Sequence, residues 1–265
     1  MTRILFALAL LALAVPVVAH DTWVQTNAAV VRTGDAVHID VMLGNHGNDH
    51  RDFKLASKLS ADAIQSFAVT GPDGKVYDLK PGLVDLGYAP KEGYHSAKFV
   101  PGVPGLYVAA QTFDKVTNHG KPVRAVRSAK SYFVASDSLD KVPAVCPGFD
   151  KPLGHALELV PLANPVTPMG PGKPLAVRLV FGGKPLAGVK VSFVPRGVTL
   201  KEGTDAEYER VTDADGKASY TPKSGNYYLV VAHHPRDEKG DGYESAHYAA
   251  TLCVLVPEKC PCCAD

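Results

Sequence analysis

Short alternating runs of apolar and polar residues, set between glycine and proline turns, dominate this chain. Val37-His38-Ile39-Asp40-Val41-Met42-Leu43 changes face at each residue, the period of a half-buried strand. Ser66–Thr70 runs into Gly71-Pro72-Asp73-Gly74, and Val76-Tyr77-Asp78-Leu79 resumes beyond it, which is hairpin grammar. His95–Val100, Leu106–Gln111 and Ala125–Ala135 continue the pattern, the first two parted by Pro101-Gly102-Val103-Pro104-Gly105. Asp52–Gln65 alone suits a short helix. About seven strands in roughly 115 residues predict an immunoglobulin-like sandwich over 20–136.

Residues 137–150 carry prolines, a glycine and little alternation, and are read as a linker. The grammar then repeats over 151–256. Ala156–Val160, Leu175–Phe181, Val189–Val194, Tyr208–Thr212, Lys217–Thr221, Tyr227–His234 and Ala246–Val256 read as strands. The run Gly-Lys-Pro-Leu-Ala-Gly-Val, then Thr-Asp-Ala-Asp-Gly-Lys-Ala, then Gly-Asn-Tyr-Tyr-Leu resembles the transthyretin-like (prealbumin-like) sandwich of exported modules. The expected fold is therefore all-β, with two immunoglobulin-like or transthyretin-like sandwich domains and a cysteine-rich tail at 257–265. Asp213-Ala214-Asp215-Gly216 lacks the other positions of a twelve-residue calcium loop and reads as a turn.

The first residues differ in kind. Arg3 precedes an unbroken apolar run, Ile4–Val15, and Val17-Val18-Ala19 offers a cleavage site. Residues 1–19 are read as a cleaved signal peptide, which places the protein in the periplasm or outside the cell. Processing after Ala19 makes His20 the first residue of the mature chain. No other stretch reaches the roughly 18 apolar residues of a transmembrane helix, so the mature chain is expected to lack one. A net charge of +1 supplies no basic face for nucleic acid. Five cysteines are an odd count for an exported protein. Cys253, Cys260, Cys262 and Cys263 crowd the C-terminal end, and Cys146 sits apart. They are expected either to form disulfides, Cys146 joining one of the distal four, or to act as a soft-metal thiolate tail.

Three segments carry a resemblance across nearly the whole mature chain. They are the start Ala-His-Asp-x-Trp-Val, Leu153-Gly154-His155-Ala156-Leu157-Glu158-Leu159-Val160-Pro161, and Ser245-Ala246-His247-Tyr248-Ala249-Ala250-Thr251-Leu252. Together they resemble a large bacterial family described as the periplasmic component of nickel/cobalt uptake transporters. The resemblance implies a transition-metal ion as ligand and a membrane ABC-transporter component as partner. The Cys-Pro-Cys-Cys tail departs from that family, and thiolates favour softer ions or zinc.

Histidines supply the candidate ligands. Tyr227–His234 and Ala246–Val256 flank one loop, and symmetric pairing sets His234 nearly opposite His247, close enough to share an ion. A register shifted by one residue puts His233 on that face instead. A mature His20 offers an α-amine and an imidazole to one ion, both deprotonatable near neutral pH. His46 and His50, with Asp49 between them in Gly44-Asn45-His46-Gly47-Asn48-Asp49-His50, form a third candidate for a borderline cation such as Ni²⁺, Cu²⁺ or Zn²⁺. No nucleophile elbow, His-Glu-x-x-His or phosphate-cradling loop is present, so no enzyme is expected. The expected function is metal binding in the service of uptake. The alternatives are a structural or adhesive sandwich without metal, and a copper or zinc chaperone that uses the cysteine tail.

Overall fold

The computed structural model of the chain describes residues 21–44, 46, 61–87, 93–118, 120–140, 142–143 and 146–259. Its first half holds β1 (Asp21–Thr26), β2 (Val30–Arg32), β3 (Val37–Gly44), β4 (Ile64–Thr70), β5 (Val76–Asp78), β6 (Val84–Asp85), β7 (His95–Phe99), β8 (Gly105–Asn118) and β9 (Pro122–Ser136). The second half holds β10 (Leu157–Pro161), β11 (Leu175–Phe181), β12 (Lys184–Pro185), β13 (Lys190–Pro195) and β14 (Glu209–Val211). It ends with β15 (Lys217–Tyr220), β16 (Asn226–Arg236) and β17 (Ser245–Val256). The protein is all-β, built from packed sheets of the immunoglobulin-like sandwich type. Of the stretch expected to suit a helix, 52–60 lies outside the described residues. Ala61–Ala63 is a single 3-10 turn, and Ile64 already opens β4. Among the described residues no helix is long and apolar enough to cross a membrane.

A nine-stranded sheet runs through both halves in the order β14-β13-β16-β17-β9-β8-β4-β5, with β2 added beside β9. The junction is parallel: β17 pairs with β9 from Ser245↔Val123 to Cys253↔Ser131. A strand in that position is covered on both faces, so its apolar alternation disappears. β9 is accordingly buried without a break from Ser128 to Ser136.

Each face of this sheet carries a different partner. Ala125, Ala129 and Phe133 of β9 belong to the core beneath the four-stranded sheet β1-β3-β7-β6, with Val24, Ile39, Val41 and Phe67. The even-numbered residues Ser128, Lys130, Tyr132 and Val134 turn the other way, towards the sheet of β10, β11, β12 and β15. There Tyr132 and Val134 join Leu157, Leu179, Phe193, Val230 and Leu252 in the second core. A smaller cluster of Trp23, Met42, Leu229, Val231 and Cys253 forms where β1 and β3 overhang β16 and β17.

Two charged side chains meet inside the second packing layer. Lys130 Nζ lies 2.8 Å from Glu158 Oε1, with both residues 1% exposed. The Glu158 carboxylate also accepts the backbone N–H groups of Leu153, Gly154 and His155 at 2.7, 3.0 and 3.1 Å. Burial alone would raise its pKa, but the charge and hydrogen bond of Lys130, the Leu153 N–H and His155 hold it below the ordinary value. The Leu-Gly-His-Ala-Leu-Glu segment is thus a loop folded over a buried carboxylate, tied to β9 from the opposite half of the chain. Ser128 adds a bond to the Leu157 carbonyl at 2.6 Å.

Removing one partner of such a pair strands the other. Lys130→Met is expected to cost about 3–5 kcal/mol of unfolding free energy in urea. Glu158→Leu should cost at least as much, and the double variant should not recover, because three N–H donors remain unpaired.

Candidate metal centre

The hairpin of β16 and β17 pairs His233 with Ala249, His234 with Tyr248 and Pro235 with His247. This is the shifted register, so the placement of His234 opposite His247 is corrected. His234 turns to the second core, where its ring meets Phe181 edge-on at 5.0 Å. His233 and His247 share the other face as diagonal neighbours. Their rings stack at 5.2 Å between centroids, 13° from parallel. The alternation along β16 carries through: Tyr228, Val230 and Ala232 go into the core with His234, while Leu229 and Val231 go under Trp23 with His233.

Strand β1 delivers the next group. It runs antiparallel to β3 from Asp21↔Gly44 to Thr26↔Ile39, and Trp23, fully buried, fixes it against β16 and β17. Thr251 Oγ1 donates to the Thr22 carbonyl at 2.8 Å, and Arg127 Nη1 donates to Thr22 Oγ1 at 3.1 Å. Held in this way, Asp21 places Oδ1 3.3 Å from His233 Nε2. The sequence features that first marked the start and the final strand therefore lie together in space.

Electrostatics separates the two stacked imidazoles. Burial, then the charges of His233 and Arg127, push His247 down to about 4. Burial also pulls His233 down, but the charge and hydrogen bond of Asp21 outweigh it, and its pKa lies above the ordinary value. One ring is therefore held neutral, and the other can carry a proton against a carboxylate.

The remaining candidates fall elsewhere. His46 is 1% exposed and meets Trp23 edge-on at 5.4 Å. Burial and then Arg196 push it down to about 3. It is a packing residue at the end of β3, not the open ligand of a glycine loop. His20 and His50 lie outside the described residues, as do Cys260, Cys262 and Cys263. Cys146 and Cys253 are both buried and are not bonded to each other. They sit in different clusters, and burial drives the Cys253 thiol up to about 12. Sequence reasoning passed over Asp21, Thr22 and Arg127. The visible sign was Arg127 itself, a charge inside the apolar strand Ala125–Ala135. Among the described residues no three His, Cys, Asp or Glu side chains converge to hold an ion by themselves.

Fold and site thus define an all-β sandwich protein with a histidine pair where its first strand crosses its last hairpin. The chain belongs to the family described as Domain of unknown function (DUF4198), whose model matches residues 17–236. No curated protein matches. Among solved structures it is similar to the D0-D1 domain of intimin, at 12% identity over 88% of this chain and 97% of that one, TM-score 0.22. It is also similar to a DUF4785 family protein from Legionella pneumophila, at 13% identity over 79% of this chain and 51% of that one, TM-score 0.27. A third is the Escherichia coli adhesin FdeC, at 16% identity over 90% of this chain and 65% of that one, TM-score 0.23.

The pKa directions fix the acid behaviour of the fold. His46 and His247 take up protons more readily once unfolded, so stability they support above pH 6.5 is lost as pH falls towards 4 and 3. His233 has the opposite sign: its contribution is full below 6.5 and is lost as pH rises through its folded value. Unfolding free energies from urea titrations between pH 7 and 4 should fall with acidification, by at most about 1.4 kcal/mol per pH unit for each histidine. His46→Asn should flatten that slope.

Proposed function

We propose that this protein binds a transition-metal ion where β1 meets β16 and β17, and that it serves metal uptake in the cell envelope. The observation that carries this reading is the 3.3 Å contact of Asp21 with His233, beside His247. His20 immediately precedes Asp21, and consecutive Cα atoms lie about 3.8 Å apart across a trans peptide. Export and cleavage after Ala19 would then set an α-amine and an imidazole within reach of the His233–His247 pair. The stacked rings are nearly parallel, so one must turn before both can point a lone pair at a single ion. Metal binding supplies the energy for such a turn when the added donors close a chelate. A periplasmic site, a nickel/cobalt-type cargo and a membrane transporter component as partner belong to this reading. They rest on the family resemblance of the three sequence segments. The protein acts here as a binder, not as an enzyme.

A second reading is a sandwich that binds a protein or glycan and no metal. It is favoured by the lack, among the described residues, of three convergent ligand side chains. The third, a thiolate chaperone, loses Cys253 to the Trp23 cluster and rests on Cys260, Cys262 and Cys263 alone.

Titration of untagged mature protein with Ni²⁺, Co²⁺, Cu²⁺ and Zn²⁺ separates the three. The metal reading expects a dissociation constant tighter than about 10 μM for at least one ion. His247→Ala, His233→Ala and one extra residue before His20 should each weaken it about tenfold or more, while His234→Ala should not. Binding that survives all three changes but disappears with the distal cysteines would establish the chaperone. No binding at all would leave the metal-free module.

A further inference from the structure

On the face of the central sheet turned away from His233 and His247, the second layer stops short of the end of β9. It covers Val134, Tyr132, Lys130 and Ser128, and Ser128 is tied to the carbonyl of Leu157, the first residue of β10. Val126 and Arg124, next along that face, lie past the cover. The registers set Asp114 of β8, Val126 of β9 and Tyr248 of β17 in one row there, with Thr112 opposite Ser128 in the row beside it. The loop from Gly154 to Leu157 overhangs this row, and the two frame a cleft of about 280 Å³. Gln65, where the pairing of β4 shifts register, completes the lining.

The charges around this cleft cancel. Arg124 Nε and Nη2 donate to the two oxygens of Asp114 at 2.9 and 2.6 Å. Glu238 accepts the Tyr248 hydroxyl at 2.6 Å and faces Arg236. Lys130 and Glu158 hold each other, and the N–H groups of Leu153, Gly154 and His155 are spent on Glu158. The Arg127 guanidinium lies on the opposite face, against Thr22 and over Phe113. An anion thus meets no unpaired cation among these residues and no nest of N–H donors. An extended peptide fares no better. Strand β8 is paired on both edges, with β4 and β9, and β9 with β8 and β17, so no backbone edge is open to it.

What the cleft offers is fixed hydrogen-bonding side chains beside a small apolar floor. The Asp114–Arg124 pair leaves spare lone pairs on the carboxylate next to spare N–H groups on the guanidinium, with side chains 27% and 36% exposed. Neighbouring hydroxyls on a sugar ring need that alternation, because each one both donates and accepts. Val126 and the Tyr248 ring can take the C–H face of the same ring, and Gln65 adds an amide at the side. His155, in the overhanging loop, has a buried Nδ1 without a hydrogen-bond partner. We propose that this cleft binds an uncharged saccharide, with the Asp114–Arg124 pair engaging two adjacent hydroxyls. Its volume lies at the small end of ligand pockets, which suits a short sugar and not a large cofactor. The inference is independent of the metal reading, whose residues lie on the other face of the sheet, and it gives the sandwich a ligand with or without a metal.

The test titrates untagged mature protein with maltose, cellobiose, lactose and N,N′-diacetylchitobiose, each up to about 10 mM, and reads amide shifts by NMR. At least one sugar should bind with a Kd of about 1 mM or tighter, and the shifts should centre on Thr112, Val126 and Ala156. Asp114→Ala should weaken binding about tenfold or more. Its urea midpoint should barely move, because a half-exposed ion pair holds little of the fold. Ala156→Trp, which fills the cleft from the overhanging loop, should abolish binding and serves if Asp114→Ala does not fold. Glucuronic acid and glucose 6-phosphate should bind more weakly than the best neutral sugar. No binding of any of the four, shifts centred elsewhere, or affinity unchanged in both variants would overturn the inference, whatever the metal titration gives. Either charged sugar bound more tightly than every neutral one would also overturn it.

Discussion

The parallel pairing of β9 with β17 is the constraint on which the rest of this structure depends. Parallel strands need long connections, and here the connection is the whole second half of the chain. Once that ladder forms, the sheets of the two halves are one surface, and side chains far apart in sequence share rows. His233, Ala249 and Arg127 are such a row. Ser128, Lys130 and Tyr132, which alternate with the neighbours of Arg127 along β9, point to the opposite layer and meet Leu157, Glu158 and Phe149. One strand thus positions the candidate site on one face and the buried ion pair on the other.

Strand β1 depends on the same junction. Its inward residues lie partly over the first-half core, through Val24, and partly over the second-half hairpin, through Trp23. The indole reaches Leu229, Val231 and Cys253 only because β16 and β17 continue the sheet beyond β9. Asp21 inherits its place from that anchoring. A short start segment is in this way aligned with a histidine pair more than 200 residues later in the chain.

Much of the strand order is legible in the hydrophobic pattern, because most strands have one wet face. Val37–Leu43, Leu175–Phe181 and Ala246–Val256 match β3, β11 and β17 to within a residue or two. The pattern is weakest where a strand runs on past its buried part into polar, half-wet residues. Leu106–Gln111 understates β8, which runs on to Asn118 beside β9. The candidate site is legible in its residue types but not in its geometry. His247 and the alternatives His233 and His234 can be named from the sequence, yet a single step of register decides which of the pair faces outward. Flanking residues do not settle that step, because β16 is apolar on both faces next to the histidines. The part played by Asp21 and Arg127 follows from a ladder between distant strands, and alternation within one strand carries no record of it.

The proposal to be tested is a metal site at His233 and His247, beside Asp21 at the start of β1. A crystal of the mature, metal-loaded protein, measured at the absorption edge of the bound ion, addresses it most directly. The account predicts one anomalous peak about 2.0–2.3 Å from imidazole nitrogens of His233 and His247 and from the α-amine of His20. A peak at the cysteine tail or at His46, or an ordered mature N-terminus directed away from Asp21 and the histidine pair, would contradict it.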